Sequence, residues 1–250
     1  KLIGRPLPFA VVARLASLEP ARDLNPDHGY RKDTWIKVPG CWDFKASSDQ
    51  QIKAEADRIM ESIGGTKLSE LRWAFDYDPT EVVQEIVASG CVPDQKAHQF
   101  YPTPERLARI AVDLADIGPD DTCREPSAGM GGLADLMPKD RTHCIEVSPL
   151  HCKVLESKGY NVTQADFLAW IGDPVDRITM NPPFSEGRWQ AHTQHAATMV
   201  KPGGRLVAIL PASAKGKDLL PGFKCTWHGP YDNEFPGTSV SVVILKADRT

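Results

Sequence analysis

The chain has 250 residues and a mass of 27.5 kDa, with 41% apolar and 25% charged side chains and a formal charge of −4. That suits one substantial folded domain with an appendage, or one large domain. No stretch approaches the ~18 apolar residues of a membrane-spanning helix, and the balance is not the strongly basic one of many nucleic-acid binders.

Charge is spread unevenly. Residues 1–45 carry eight basic and five acidic side chains, residues 46–180 carry 13 and 23, and residues 181–250 carry eight and five. The middle is acidic and the ends are locally basic, so charge neither establishes nor excludes a nucleic-acid partner. The six cysteines form no C-x-x-C pair, and free thiols in a reducing compartment are the simpler reading. His143 and Cys144 are neighbours in a strand-like stretch, so they should face opposite ways, and no metal site is expected.

In chain order, residues 1–45 show no clear period, and Tyr30, Trp35 and Trp42 suggest an irregular segment packed by its aromatics. A lid or contact element is the alternative role. Residues 48–64 are predicted as a helix: Ile52, Ala56, Ile59, Met60 and Ile63 share a face, Ser48 with Gln51 fits a capping box, and Gly64 is a stop. Leu71, Trp73 and Phe75 alternate as in a short strand. Asp78-Pro79-Thr80 leads into a helix, Glu81 to Ser89, ending at Gly90. Residues 1–95 thus read as a mainly helical N-terminal extension.

Residues 96–250 read as a second domain with a regular pattern. Thr103 is placed to cap a helix with Pro104 first, buried through Leu107, Ile110, Ala111, Leu114 and Ala115. A strand at Thr122–Glu125 leads to the turn Pro126-Ser127-Ala128-Gly129-Met130-Gly131-Gly132 and a short helix. Strands follow at Thr142–Val147, Asn161–Gln164, Arg177–Met180 and Arg205–Leu210. Helices are predicted from Pro149 and over Arg188–Val200. Alternating strands and helices imply an α/β fold with a mostly parallel sheet covered on both faces. Residues 222–228 and 239–246 read as an antiparallel pair at its edge.

The glycine-rich turn is neither G-x-G-x-x-G nor a P-loop. Glu125 before it would repel a phosphate but could pair with a cationic amino-acid end. S-adenosylmethionine has that end and no phosphate. Glu146, 21 residues on at the end of the next strand, is placed to accept from both ribose hydroxyls. Asp166 is placed to accept from the adenine amino group of that cofactor, and Phe167 either stacks on its ring or fills the core. Asn181-Pro182-Pro183-Phe184 ends the fourth strand, where sites in open α/β sheets gather. Its carbonyl acceptors suit an exocyclic amine, whose conjugated lone pair is localised when the nitrogen becomes pyramidal. Phe184 would stack on a base taken out of its helix.

On these residues, over roughly 98–247, the chain resembles the class I, Rossmann-like S-adenosylmethionine-dependent methyltransferases, and within them the DNA N6-adenine methyltransferases. Phe100-Tyr101-Pro102-Thr103-Pro104 is similar to the family's opening motif, which closes over the methionine end of the cofactor. Glu125, Ser127, Ala128, Gly129 and Gly131 match its cofactor loop, Glu146 its acidic strand end, and Asp166-Phe167 its adenine contact. Asn181-Pro182-Pro183-Phe184 matches its D/N-P-P-Y/F/W catalytic motif, and Phe235-Pro236-Gly237-Thr238-Ser239 a late loop walling the base pocket.

The resemblance implies methyl transfer to adenine N6 in DNA, with a flipped adenine as substrate and S-adenosylmethionine as cofactor. Relatives with N-P-P-F/Y also methylate RNA bases or a protein glutamine, and a non-catalytic partner subunit would keep the fold. Only about 66 residues follow Phe184, so sequence recognition would fall to residues 1–95 or be relaxed. With no leader visible at the start, a cytoplasmic location is expected, bacterial or in the host cytoplasm if phage-encoded.

Overall fold

Strands buried on both faces need near-continuous apolar runs, and Leu206-Val207-Ala208-Ile209-Leu210 is one. In the computed structural model, which describes residues 4–21, 40–45, 49–93, 102–235 and 239–250, this run lies in the middle of a seven-stranded sheet. The chain divides into two compact units: residues 1–94 with 149–158, and residues 95–148 with 159–250.

In the second unit, helix α4 (Glu105–Ala115) buries Leu107, Ala108, Ala111 and Ala115. Strands β7 (Cys123–Pro126), β8 (Thr142–Glu146), β9 (Asn161–Gln164), β10 (Val175–Met180), β11 (Val200–Pro211), β12 (Phe223–Tyr231) and β13 (Val242–Arg249) form the sheet in the order β12-β13-β11-β10-β7-β8-β9. The five from β11 to β9 are mutually parallel, while β13 runs antiparallel to both β11 and β12. Helix α6 (Arg188–Thr198) joins β10 to β11.

Side chains alternate along β11 and β13, and two cores result. Leu206, Ala208, Leu210, Val243 and Leu245 enter one cluster with Phe167, Met180, Trp189 and Ala196. Val207, Ile209, Val242 and Ile244 enter the other with Leu107, Ala111 and Phe235. This is the parallel α/β arrangement with an antiparallel edge pair that the sequence predicts.

Two local expectations fail here. The helix predicted after the glycine-rich turn is only a 3-10 turn, Ala134–Leu136; Pro138 follows, and a residue before proline is kept out of the helical region. Thr103 does not cap α4. Pro104 takes the N-cap position without a side-chain hydrogen bond, and the Thr103 hydroxyl is used elsewhere.

The first unit holds α1 (Phe9–Leu15), α2 (Gln50–Ser62), α3 (Thr80–Ser89) and α5 (Pro149–Ser157). It also holds more strand than its sequence suggests. Strands β1 (Gly4–Pro6) and β6 (Cys91–Pro93) pair antiparallel. Strands β2 (Glu19–Pro20), β3 (Gly40–Asp43), β4 (Thr66–Lys67) and β5 (Arg72–Phe75) form an antiparallel sheet in the order β2-β3-β5-β4. Trp42 sits opposite Trp73 in that sheet, and Arg72 grips the Asp43 carboxylate through two hydrogen bonds of 2.7 and 2.6 Å.

Helix α2 starts from Asp49, whose carboxylate accepts from the Gln51 and Ile52 amides. It takes the role assigned to Ser48, since a carboxylate also complements the positive helix N-terminus. Ser48, Tyr30 and Trp35 lie outside the described residues. No helix among the described residues is long and apolar enough to cross a membrane.

Candidate cofactor and acceptor site

Because β10, β7, β8 and β9 are adjacent and parallel, their C-terminal ends form a row. At the usual strand spacing it is roughly 14 Å long. Asn181, the glycine-rich turn, Glu146 and Asp166 follow one another along it.

The turn after β7 folds back tightly. Ser127 has φ +59°, Gly129 +57° and Gly131 +89°. Glycine adopts such angles without strain; a serine there must be held. The Ala128 amide donates to the Ile145 carbonyl at 3.0 Å, and the Gly129 amide donates to Glu146 Oε2 at 2.7 Å. Glu146 Oε1 accepts from the Ser148 amide at 2.8 Å. Glu146 is thus a clamp between two backbone segments, only 6% exposed.

Glu125 accepts from the Ala134 amide, at the start of the 3-10 turn that follows, at 2.7 Å. Burial pushes its carboxyl well above the usual range; the Ala134 and Leu133 amides oppose this, and the Asp135 and Glu146 charges add to it. Asp166 is exposed and caps the next 3-10 turn, accepting from the Leu168 amide at 3.1 Å. Phe167 is 2% exposed and lies in the core, where its ring meets those of His192 and His195 at 5.6 and 4.9 Å. Of the two roles open for Phe167, the structure displays core filling.

At the other end of the row, Asn181 Nδ2 donates to Thr103 Oγ1 at 3.1 Å. Thr103 in turn lies against the glycine-rich turn: a Cβ on Gly132 would stand 3.4 Å from Thr103 Cβ. The glycine lets the segment before α4 approach closely. The turn, Thr103 and Asn181 are therefore in one place. With its NH2 committed to Thr103, the Asn181 amide keeps its carbonyl oxygen as an acceptor. Pro182 is buried, and Phe184 is half-buried against both core clusters. Phe235 is in the second cluster. Phe100, Tyr101, Pro236, Gly237 and Thr238 lie outside the described residues, while Pro102 is described and flanks Thr103.

Two residues escape the sequence reading. Val147, directly after Glu146, is 43% exposed, an apolar rim suited to a flat ring. His192 lies on α6 beneath the row, 4% exposed, with Nδ1 3.2 Å from Ser127 Oγ. Burial and the Arg188 charge push its imidazole down to about 4; Asp166 opposes this and His195 adds to it.

Unfolded, that histidine titrates near 6.5. Between about 4 and 6.5 the unfolded chain binds more protons, so stability falls as pH drops through that window, by about 3 kcal/mol in full. Urea midpoints at pH 7 and pH 5 should therefore differ less for His192→Leu than for the wild type. An equal difference in both would remove His192 as the cause.

No protein family matches the sequence, and no curated protein does. Solved structures with a similar fold include TrmN from Thermus thermophilus, at 20% identity over 57% of this chain and 48% of that one, TM-score 0.45. This chain thus matches about half of that protein's length. A putative RNA methyltransferase from Pyrococcus horikoshii is 20% identical over 61% and 88%, TM-score 0.46. A geranyl diphosphate C-methyltransferase from Streptomyces coelicolor A3(2) is 14% identical over 58% and 79%, TM-score 0.46. The likeness concerns the fold alone. The second unit is a Rossmann-like α/β fold: a mostly parallel sheet with an antiparallel edge pair.

Proposed function

We propose that the protein transfers a methyl group from S-adenosylmethionine to a conjugated exocyclic amino group, and that the acceptor is adenine N6 in DNA. The observation that carries this is the Asn181 amide, held through its NH2 by Thr103 at the end of β10 and followed by two prolines.

The donor set fits the cofactor. No Lys or Arg lies in the turn 126–132, and two buried carboxyls, Glu125 and Glu146, back it. A ribose diol suits the Glu146 carboxylate, and the turn offers no side-chain cation to hold a phosphate. Glu146 would hold the ribose, the turn and Thr103 the amino-acid end, and Asp166 with Val147 the adenine.

When bound, the cofactor supplies a methyl group on a sulfonium, already a good leaving group. The protein's task is then placement. Asn181 Oδ1 and the Pro182 carbonyl accept the two amine hydrogens out of the ring plane, which turns the nitrogen lone pair toward the methyl group. Proline removes a competing N–H and fixes that carbonyl. Phe184 stacks on the base, worth ~1–3 kcal/mol. The proton leaves after transfer, so no strong base is needed.

An RNA adenine and a protein glutamine present the same planar NH2, and Asn181 suits all three. DNA is favoured by the resemblance of Phe100-Tyr101-Pro102-Thr103-Pro104 to the opening motif of adenine methyltransferases. A competition settles it: labelled S-adenosylmethionine with unmethylated duplex DNA, RNA and a glutamine peptide in one reaction. Label is expected in DNA. Label in RNA or peptide alone would overturn DNA and keep the amine chemistry. No label, with cofactor binding intact, would make the chain a partner subunit.

A further inference from the structure

His192 is a buried titratable group that the mechanism above leaves unused. It touches two segments of the cofactor row at once: Ser127, after β7, and the ring of Phe167, after β9. Its Nε2 is buried and has no hydrogen-bond partner among the described residues. A neutral imidazole carries one N–H and one lone pair. An N–H buried without an acceptor keeps its desolvation cost uncompensated. The proton therefore belongs on Nδ1, where Ser127 Oγ is present to accept it.

That choice fixes the serine. Having accepted from His192, the Ser127 hydroxyl keeps its own proton to give. Its left-handed backbone, φ +59°, is the local strain that such a hold sustains. A hydroxyl presented as a donor selects an acceptor, and charged acceptors most strongly. Ser127 sits at the end of β7, between Asn181 on one side and Glu146 on the other. With the ribose at Glu146, the nearest charged acceptor on the cofactor is the carboxylate of its amino-acid end.

We propose that His192 is a positioning residue of the cofactor site, holding the Ser127 hydroxyl as a hydrogen-bond donor for the carboxylate of the amino-acid end. This rests on the S-adenosylmethionine reading. It separates His192 from a core histidine, whose loss would loosen the whole site evenly.

Calorimetry with two ligands tests it: S-adenosylhomocysteine, which has the amino-acid end, and 5′-methylthioadenosine, which lacks it. Ser127→Ala and His192→Leu are each expected to weaken S-adenosylhomocysteine by about ten- to a hundredfold, and to leave 5′-methylthioadenosine within about twofold. The double variant should be no weaker than either single one, since both remove one hydrogen bond. His192→Asn, whose amide reaches about where Nδ1 stands, should restore most of the loss. Should His192→Leu fail to fold, His192→Phe, which keeps a buried ring without the N–H, takes its place. Equal weakening of both ligands, or of neither, would overturn the proposal while the cofactor reading stands. A wild-type protein that binds neither would overturn both.

Discussion

Asn181→Ala is expected to lower methyl-transfer turnover by at least ~10²–10³-fold, the usual cost of removing one preorganised polar group from a reacting centre. Cofactor affinity should hardly change. Asn181 stands at the β10 end of the row, one strand beyond the turn and two beyond Glu146. Among the described residues its side chain bonds to Thr103, not to the clamp around Glu146. Alanine removes the acceptor that favours a pyramidal amine and leaves the cofactor's carboxylate row intact. Asn181→Asp, which keeps an oxygen there, should retain measurable turnover. Single-turnover kinetics beside calorimetry separate the two effects. Unchanged turnover in Asn181→Ala would end its assignment.

Glu146→Ala should act on the opposite side of the division, raising the cofactor dissociation constant by at least ~10²-fold. Two losses combine. The proposed ribose acceptor goes, and so does the partner of the Gly129 and Ser148 amides, which Glu146 satisfies at 2.7 and 2.8 Å. Each buried amide left unpaired costs about 1–3 kcal/mol, so the turn should also relax and the protein should melt earlier. Glu146→Gln keeps one acceptor oxygen but turns an NH2 toward a backbone N–H, and should fall between the two. Calorimetry with S-adenosylhomocysteine reads this directly. An unchanged dissociation constant would contradict the clamp.

The second unit was legible because its strands carry their own pattern. The run Leu206–Leu210 is long enough to announce a strand buried on both faces, and β9 falls on Asn161–Gln164 as read. The first unit was less so. Apart from β5, read from Leu71, Trp73 and Phe75, its strands of two to four residues are too short for an alternation to stand out, and β3 finds its partner β5 about thirty residues away. Helix α1 has seven residues and no side-chain cap, so it leaves no signal to distinguish it from irregular chain.

The site divides in the same way. The turn, Glu146 and Asn181 were legible because their order along the sequence maps onto adjacent strand ends. What they hold was not. Thr103 reads as a helix cap, yet its hydroxyl meets Asn181 78 residues later. Phe167 reads equally well as ring or core. His192 is a lone histidine on a helix, and its contact with Ser127, 65 residues earlier, exists only once the sheet is assembled.

In the proposed reaction Asn181 and Pro182 prepare an exocyclic amine. The most direct measurement is to methylate unmodified duplex DNA with labelled S-adenosylmethionine, digest it to nucleosides and identify the labelled one. N6-methyladenine is the expected product, lost in Asn181→Ala. Label on a ring carbon or ring nitrogen would contradict the account, because neither atom carries the hydrogens that the two acceptors are placed to receive.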